Sequence, residues 1–144
     1  MNYQNMTLPF EYQRASQEFE KFVVDARDIS GLATTNMTYN MVQGVLQTFR
    51  RRLSIKDAAL FANVLPAVIR AIFVADWNTD EPQLAFQDRA TMTKEAQALR
   101  AAHNFAPDTA IQDVAKALRR NIDQAALDKV LAKLPQGAAQ FWQV

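Results

Sequence analysis

The feature that most constrains this chain of 144 residues is an internal repeat. Residues 38–75 align with residues 107–144 without a gap, at a constant offset of 69 positions (107 − 38). Apolar residues recur at equivalent positions in both segments, and six aligned pairs are identical: Gln43/Gln112, Val45/Val114, Arg50/Arg119, Arg51/Arg120, Leu65/Leu134 and Pro66/Pro135. Self-similarity at a fixed offset is typical of a duplicated supersecondary unit. We therefore predict that the chain contains two copies of one unit.

The spacing of apolar residues predicts that each unit is helical. Between Ala15 and Ile29 they recur every three or four positions, the spacing that places them on one face of a helix. No segment alternates apolar and polar residues with the β-branched enrichment of a strand. We predict an all-α fold with about eight helices, in two related four-helix units packed as one helical-bundle domain.

Residues that favour helix ends predict where the first two helices begin and stop. The first helix, at about 11–29, should stop near Gly31, because glycine accepts the left-handed conformation common at helix ends. Thr38 is the predicted N-cap of a second helix at about 38–52.

Similar signals mark the later helices. Ser54 should cap the third helix, and Asp123 takes the same place in the second copy, so both copies keep a good capping residue. A fifth helix is expected at about 92–103, and His103 should serve the cap and the dipole at its end. The predicted division of the chain follows from these boundaries.

We divide the chain into an N-terminal segment (1–14), a first unit (15–75), a crossover loop (76–90) and a second unit (91–144). The loop is rich in polar and turn-forming residues between the two apolar patterns. Together the four segments should form a single compact domain, because 144 residues suit one hydrophobic core.

Composition excludes several classes of function. Sixteen basic and fifteen acidic residues give a net charge of +1, so any contact with nucleic acid must be local. The chain has no cysteine, which excludes disulfides, thiolate metal sites and cysteine nucleophiles. Three glycines are too few for a glycine-rich phosphate loop. No segment predicts a signal peptide or a membrane span, so a cytoplasmic protein is expected.

A family resemblance rests on the segment between Arg52 and Trp77. It runs from Arg52-Leu53-Ser54 through an alanine-rich helix to Leu65-Pro66, then to Arg70 and to Phe73-Val74-Ala75-Asp76-Trp77. This pattern resembles the bacterial DUF2267 family, and the resemblance extends over about residues 15–142. It implies an all-helical, soluble, two-part domain with a tryptophan after the first leucine-proline helix. It implies no reaction and no catalytic residues, because the family's function is unassigned.

The second copy departs from the family pattern. Asn121-Ile122-Asp123 replaces the Arg-Leu-Ser of the first copy. The two copies therefore need not serve the same role.

The first unit carries more apolar residues than the second. Leu60, Val64 and Ile69 of the first unit correspond to Lys129, Lys133 and Ala138 of the second. A helix that is apolar on all sides is usually buried, and the N-terminal segment, with Tyr3, Met6, Leu8 and Phe10, is available to cover it. A second copy or another protein would bury the same residues equally well. Both alternatives remain open, and they make Leu60 and Val64 candidate contact residues.

Two tryptophans could serve either the core or an interface, because large aromatics dominate both. The core is the favoured interpretation for both Trp77 and Trp142. Trp77 lies in the crossover loop, where binding residues are often placed. We therefore add Trp77 to the candidate contact residues.

Clustered arginines suggest an alternative. Arg50, Arg51 and Arg52, with Arg119 and Arg120 of the second copy, could bind phosphate groups of a polyanion. The simpler interpretation is that they stabilise helix ends, since cations are favoured at a helix C-terminus. The segment after Ser54 superficially resembles a helix-turn-helix, but its second helix is apolar and suits a core rather than base edges.

Catalytic chemistry has little support. His103 is the only histidine, and no carboxylate lies at a helical spacing from it. The carboxylate pairs Asp25/Asp28 and Asp80/Glu81 lie among other polar residues, which favours solvated surface over an acid/base pair. We predict no catalytic residue, no cofactor and no metal, although a pocket between the units could still hold an unfamiliar active site.

These observations lead to one leading hypothesis and one alternative. The leading hypothesis is a non-enzymatic helical domain that acts through protein–protein contact or self-association, possible partners being a second copy or another protein. The alternative is local binding of nucleic acid or another polyanion by the arginine cluster. No membrane interaction is predicted.

Overall fold

The computed structural model describes residues 8–144. Within this range the chain forms nine helices and no strand, which confirms the all-α prediction and adds one short helix to the predicted eight. In chain order they are α1 (Phe10–Gln13), α2 (Ala15–Ser30), α3 (Thr35–Arg50), α4 (Ile55–Ala62), α5 (Ala67–Val74), α6 (Arg89–Ala98), α7 (Ala110–Arg120), α8 (Gln124–Leu131) and α9 (Ala138–Phe141). Arg14 divides the predicted first helix into α1 and α2.

Local signals at three helix ends are confirmed. Gly31 ends α2 in the left-handed conformation, with φ of 76°. The Ser54 side chain accepts from the Asp57 N–H at 3.1 Å and caps α4. Asp123 caps α8 in the same way, through the N–H of Ala126 at 3.1 Å. Each cap satisfies a backbone group that the helix itself leaves unpaired.

The predicted cap of the second helix is wrong by one turn. Thr34, not Thr38, caps α3, and its hydroxyl oxygen accepts from the Met37 N–H at 3.1 Å. Thr38 lies inside the helix, where its hydroxyl donates to the Thr34 carbonyl at 2.8 Å. Two threonines four positions apart offer the same capping chemistry, so the local sequence does not distinguish them.

The predicted fifth helix is also misplaced. α6 covers Arg89–Ala98 rather than 92–103. Asn104 ends it, because its side-chain amide donates to the carbonyls of Ala96 and Leu99, both at 2.9 Å. His103 therefore does not cap this helix, and its side chain lies exposed beyond the helix end.

The first long helix of each unit packs against the second helix of the other. α2 of the first unit lies against α7 of the second, and α6 of the second unit lies against α3 of the first. The equivalent helices α4 and α8 also contact each other, and their bounds differ by the offset of 69 at both ends. The two units thus share one core.

Gly44 permits the close approach of α3 and α6. A Cβ at this position would overlap the backbone carbonyl of Ala96 in α6. Because the obstacle is backbone rather than a flexible side chain, a larger residue would push the helices apart.

An aromatic cluster joins the core of both units. Phe49 of α3 lies at its centre, with ring centroids 4.7 Å from Phe61, 4.9 Å from Phe141 and 5.4 Å from Trp142. Trp142 is completely buried, which confirms the core interpretation for this residue. Aromatic pairs at such distances add to the free energy of burial.

Helix length limits how the described chain can meet a bilayer. The longest helices in residues 8–144, α2 and α3, have 16 residues each. A helix that crosses the hydrocarbon core needs about 20 apolar residues, and none of the helices in this range is long and apolar enough.

Candidate functional site

Arg50 points into the protein and supports the end of another helix. Its side chain is buried, and Nη1 donates to the carbonyls of Phe73 and Ala75, both at 2.8 Å. These carbonyls lie at the C-terminal end of α5, where a cation is favoured. The guanidinium carbon lies 5.2 Å from the centroid of the Trp77 ring. The simpler interpretation of Arg50 as a helix-end residue thus applies to α5 rather than to its own helix α3.

Arg52 is fully buried, and all five of its N–H donors have acceptors. Its side chain bonds to Glu95 by two prongs, from Nη1 at 2.7 Å and from Nη2 at 3.2 Å. The other acceptors are the carbonyls of Thr48 and Ala85 and the side chain of Gln87. Arg52 therefore joins the end of α3 to α6 and to the crossover loop.

The remaining arginines of the predicted cluster are partly or fully at the surface. Arg51 lies 3.4 Å from Glu95 and 3.9 Å from Glu81. Arg119 donates to the Trp142 carbonyl at 2.9 Å and to Asp128 at 3.0 Å. Arg120 is exposed.

The arginine cluster at 50–52 therefore does not present three guanidinium groups to solvent. The placement of Arg52 corrects its assignment to a surface anion site, because its side chain is fully buried and its donors are occupied. Only Arg51 and Arg120 of the five predicted arginines keep substantial exposure beside a partly exposed Arg119. A polyanion would meet a smaller and more divided set of charges than the sequence suggests.

Two arginines outside the predicted cluster also support helix ends. Arg89 donates from Nη2 to three carbonyls at the end of α9, those of Gln140, Phe141 and Gln143. Arg70 donates to the carbonyls of Ala62 and Leu65 at the end of α4. The sequence gives no signal for the contacts of Arg89, because their acceptors lie about fifty positions away.

Four apolar side chains of the first unit keep exposure at or near α4 and α5, and we call them together the apolar surface: Ile55, Leu60, Val64 and Val74. Ile55, Leu60 and Val74 are 58%, 37% and 43% exposed, and Val64 is half-buried. They lie on α4, on the turn that follows it and at the end of α5, and α4 packs against α5. Ile69, by contrast, is buried in the core. The surplus of apolar residues in the first unit is thus only partly covered by residues 8–144.

The second unit carries polar residues at all four equivalent positions. At the offset of 69 these are Gln124, Lys129, Lys133 and Gln143, and all four are exposed. The helix that carries two of them, α8, matches α4 in both bounds. The backbone arrangement therefore accepts polar side chains at these positions, and the fold does not require apolar ones.

The predicted cover for these residues is not seen in the described part of the N-terminal segment. Leu8 and Phe10 are 58% and 64% exposed. Tyr3 and Met6 lie outside the described residues. Glu11 of α1 pairs with Arg70 of α5 at 3.2 Å, which places α1 beside the apolar surface without burying its own apolar side chains.

Trp77 lies apart from Leu60 and Val64. It is half-buried and lines a cavity of about 170 Å³ together with Arg50, Arg51 and Ile55. The structure thus brings one predicted contact residue together with two predicted anion-binding residues. Ile55 borders both this cavity and the apolar surface. Ile55 and Val74 were not among the predicted contact residues, although comparison with Gln124 and Gln143 could have found them.

The two carboxylates of the predicted pair Asp25/Asp28 have separate partners. Asp25 accepts from Asn121 at 2.9 Å and from Lys21 at 3.2 Å. The hydrogen bond from Asn121 is the main cause that lowers the pKa of Asp25 from its ordinary value. Asp28 is exposed and pairs with Arg27. Over residues 8–144, no group of three or more histidine, aspartate or glutamate residues could hold a metal ion.

Comparison with known proteins identifies the family. The model of the family described as "Uncharacterized conserved protein (DUF2267)" matches residues 19–141, which is most of the chain. The chain belongs to the DUF2267 family. The resemblance inferred from the Arg-Leu-Ser and Leu-Pro motifs is thereby confirmed. No curated protein matches the chain, so the DUF2267 assignment brings a fold and no reaction.

Proposed function

We propose that this DUF2267 protein is a non-enzymatic helical module that acts by binding a protein surface, either a second copy or another protein, through its apolar surface. The observation that carries this proposal is the contrast between Ile55, Leu60, Val64 and Val74 and their polar equivalents in the second unit. We further propose that the two units are duplicates, which makes the second unit an internal reference for the first.

Exposed apolar residues by themselves carry little weight. Single apolar side chains are common on protein surfaces and need no explanation. Here Leu60 and Lys129 occupy equivalent positions on helices of identical length, and both are exposed. A lysine at such an exposed position is solvated and does not destabilise the fold. A leucine at the same position gains free energy only when a partner covers it.

The alternative, polyanion binding, has less support. Arg50 and Arg52 are buried and bonded within the chain, and Arg119 is bonded to Asp128. Salt-dependent binding to phosphates needs several accessible cations.

A cytoplasmic location stays a prediction.

The test transfers the residues of the second unit to the first. In the full chain, Leu60→Lys and Val64→Lys together copy Lys129 and Lys133. We expect the wild-type chain to self-associate in sedimentation equilibrium, or to bind a protein that survives nuclease treatment in a pull-down from its source cells. The double variant should weaken that association by about tenfold or more, the effect of losing a hot-spot residue.

A matched control keeps the test specific. Lys129→Ala with Lys133→Ala alters the equivalent positions of the second unit and should leave association unchanged. Circular dichroism and urea unfolding establish that all chains are folded. If the double variant assembles as the wild type does, protein contact through this surface is contradicted. Loss of all bound material on nuclease treatment would instead favour Arg51 and Arg120 as contacts to nucleic acid.

A further inference from the structure

A polar cavity of about 170 Å³ is lined by Arg50 but not by Leu60 or Val64. Its walls include Arg50, Arg51 and Trp77, and the polar side chains of Ser54 and Asn78. One liquid water occupies about 30 Å³. The cavity therefore has room for a small ligand of several heavy atoms.

Arg50 has donors left over at this cavity. Its side chain is only 4% exposed, and Nη1 makes both of its hydrogen bonds, to Phe73 and Ala75. Nε is buried without a partner in residues 8–144, and the side-chain hydrogen bonds of Arg50 in this range are those of Nη1. Buried polar groups in native proteins nearly always have a partner. The free donors of Arg50 thus mark a place where an acceptor is missing.

The second unit shows what such an acceptor can be. Arg119 occupies the position equivalent to Arg50, and it donates to the carboxylate of Asp128 at 3.0 Å. The position equivalent to Asp128 in the first unit is Ala59. Arg50 forms no ion pair within 4.0 Å to any described carboxylate, whereas its counterpart does. The first unit therefore lacks a negative charge that the second unit supplies from its own chain.

The charges around Arg50 leave its guanidinium poorly compensated. Burial lowers the pKa of Arg50 from its ordinary value, and the positive charge of Arg51 lowers it further, against the opposing effect of Glu81 and Asp76. Arginine nevertheless stays charged in proteins. Glu81 is half-exposed and its contact with Arg51 is long, at 3.9 Å. An anion in the cavity would stabilise both arginines.

We propose that this cavity binds a small oxyanion, a phosphate or carboxylate group, with Arg50 as its main partner and Arg51 as its second. The anion would compensate the charge of Arg50 as Asp128 compensates that of Arg119, but from the side of Arg51 and Trp77, because Ala59 does not line the cavity. Guanidinium donors suit both groups, because charge-assisted bonds to such oxygens are short and strong. Trp77 forms the aromatic wall beside the bound group. This site goes beyond the proposed protein contact and does not depend on it.

The two tryptophans allow a direct test. The full chain is titrated separately with inorganic phosphate and with acetate, at constant ionic strength set by sodium chloride, while the indole N–H signals are followed by NMR. Trp77 lines the cavity and should shift until the site saturates. Trp142 is completely buried elsewhere and should not move. Saturation by phosphate alone identifies a phosphate site, by acetate alone a carboxylate site, and by both a general oxyanion site.

Surface variants keep the test independent of folding. Removal of Arg50 would also leave the carbonyls of Phe73 and Ala75 at the end of α5 without a donor. Ala59→Asp supplies the missing carboxylate and should weaken anion binding by about tenfold, the value of one charge-assisted bond. Asn63→Asp adds the same charge at the far end of α4 and should leave binding near wild type. Glu81→Gln removes the competitor for Arg51 and should tighten binding. The proposal is overturned if Trp77 shows no saturable shift with either anion, or if Ala59→Asp binds as tightly as Asn63→Asp.

Discussion

Arg52 and Glu95 hold α3 and α6 together through a two-pronged ion pair, with Nη1 at 2.7 Å and Nη2 at 3.2 Å from the carboxylate oxygens. The guanidinium is fully buried, whereas the carboxylate keeps a quarter of its exposure. The remaining donors of Arg52 reach the carbonyl of Thr48 in α3, and the carbonyl of Ala85 and the side chain of Gln87 in the crossover loop. A single side chain thus fixes the loop to the junction of both units.

Removal of this guanidinium should strongly destabilise the fold. Arg52→Ala leaves Glu95 without its main partner and frees the carbonyls of Thr48 and Ala85. Breaking a buried ion pair by removing one member costs about 3–5 kcal/mol, and the partial exposure of Glu95 favours the lower end. Urea unfolding measures the loss. Arg120→Ala, an exposed arginine of the predicted cluster, should change the free energy of unfolding by less than about 0.5 kcal/mol; equal effects would contradict the structural role of Arg52.

The same ion pair predicts how stability depends on pH. Burial alone would raise the pKa of Glu95, but the hydrogen bonds and charges of Arg52 and Arg51 outweigh it and lower the pKa from its ordinary value. A carboxylate with a lowered pKa stabilises the fold above its unfolded pKa, and this contribution is lost as the pH falls through the folded pKa. We expect the free energy of unfolding to fall between about pH 5 and pH 3, and to fall less steeply in Glu95→Gln.

The pKa of Asp113 is shifted in the opposite direction from that of Glu95. Burial raises the pKa of this carboxyl from its ordinary value, against the hydrogen bond from Thr109 and the charge of Lys116. Its contribution to stability is present below its unfolded pKa and is lost as the pH rises through the folded pKa. Asp113→Asn should therefore make the acid-side loss of stability steeper than in the wild type, where Glu95→Gln makes it shallower. A shift of both variants in the same direction would contradict this account.

Gly44→Ala should destabilise the protein although alanine is the better helix former. The new methyl would overlap the backbone carbonyl of Ala96, and overpacking costs about 1–3 kcal/mol. This cost should exceed the gain of about 1 kcal/mol from helix propensity. The measurement is again urea unfolding, with Lys116→Ala at an exposed position of α7 as the control. Stabilisation by Gly44→Ala would show that α3 and α6 are not held at this distance.

The sequence predicts features that depend on neighbouring residues. The caps at Ser54 and Asp123 and the helix end at Gly31 each arise within one turn of the chain, where side-chain chemistry acts directly on the backbone. Thr38 shows the limit of such signals, since Thr34 offers the same hydroxyl one turn earlier. His103 shows another, because the side chain of Asn104 folds back to end α6.

The destinations of long side chains could not be predicted. Arg50 and Arg52 are separated by a single residue. Arg50 nevertheless supports the end of α5, whereas Arg52 pairs with Glu95 of α6. An arginine side chain can reach any carbonyl that packing brings near, and packing depends on the whole chain. Among distant signals, the repeat offset pointed to the comparison of Leu60 with Lys129 and of Val64 with Lys133, although the same comparison was not made for Ile55 and Val74.

The packing of helices across the two units bears on how such a chain could originate. α2 covers α7 and α6 covers α3, so each unit completes the core of the other. On the duplication proposed above, a single-unit ancestor would have completed its core by pairing with an identical chain. In a fused chain, by contrast, a substitution can change one unit and leave the other as it was. The difference between Leu60 and Lys129 would be one such change, made in one unit alone.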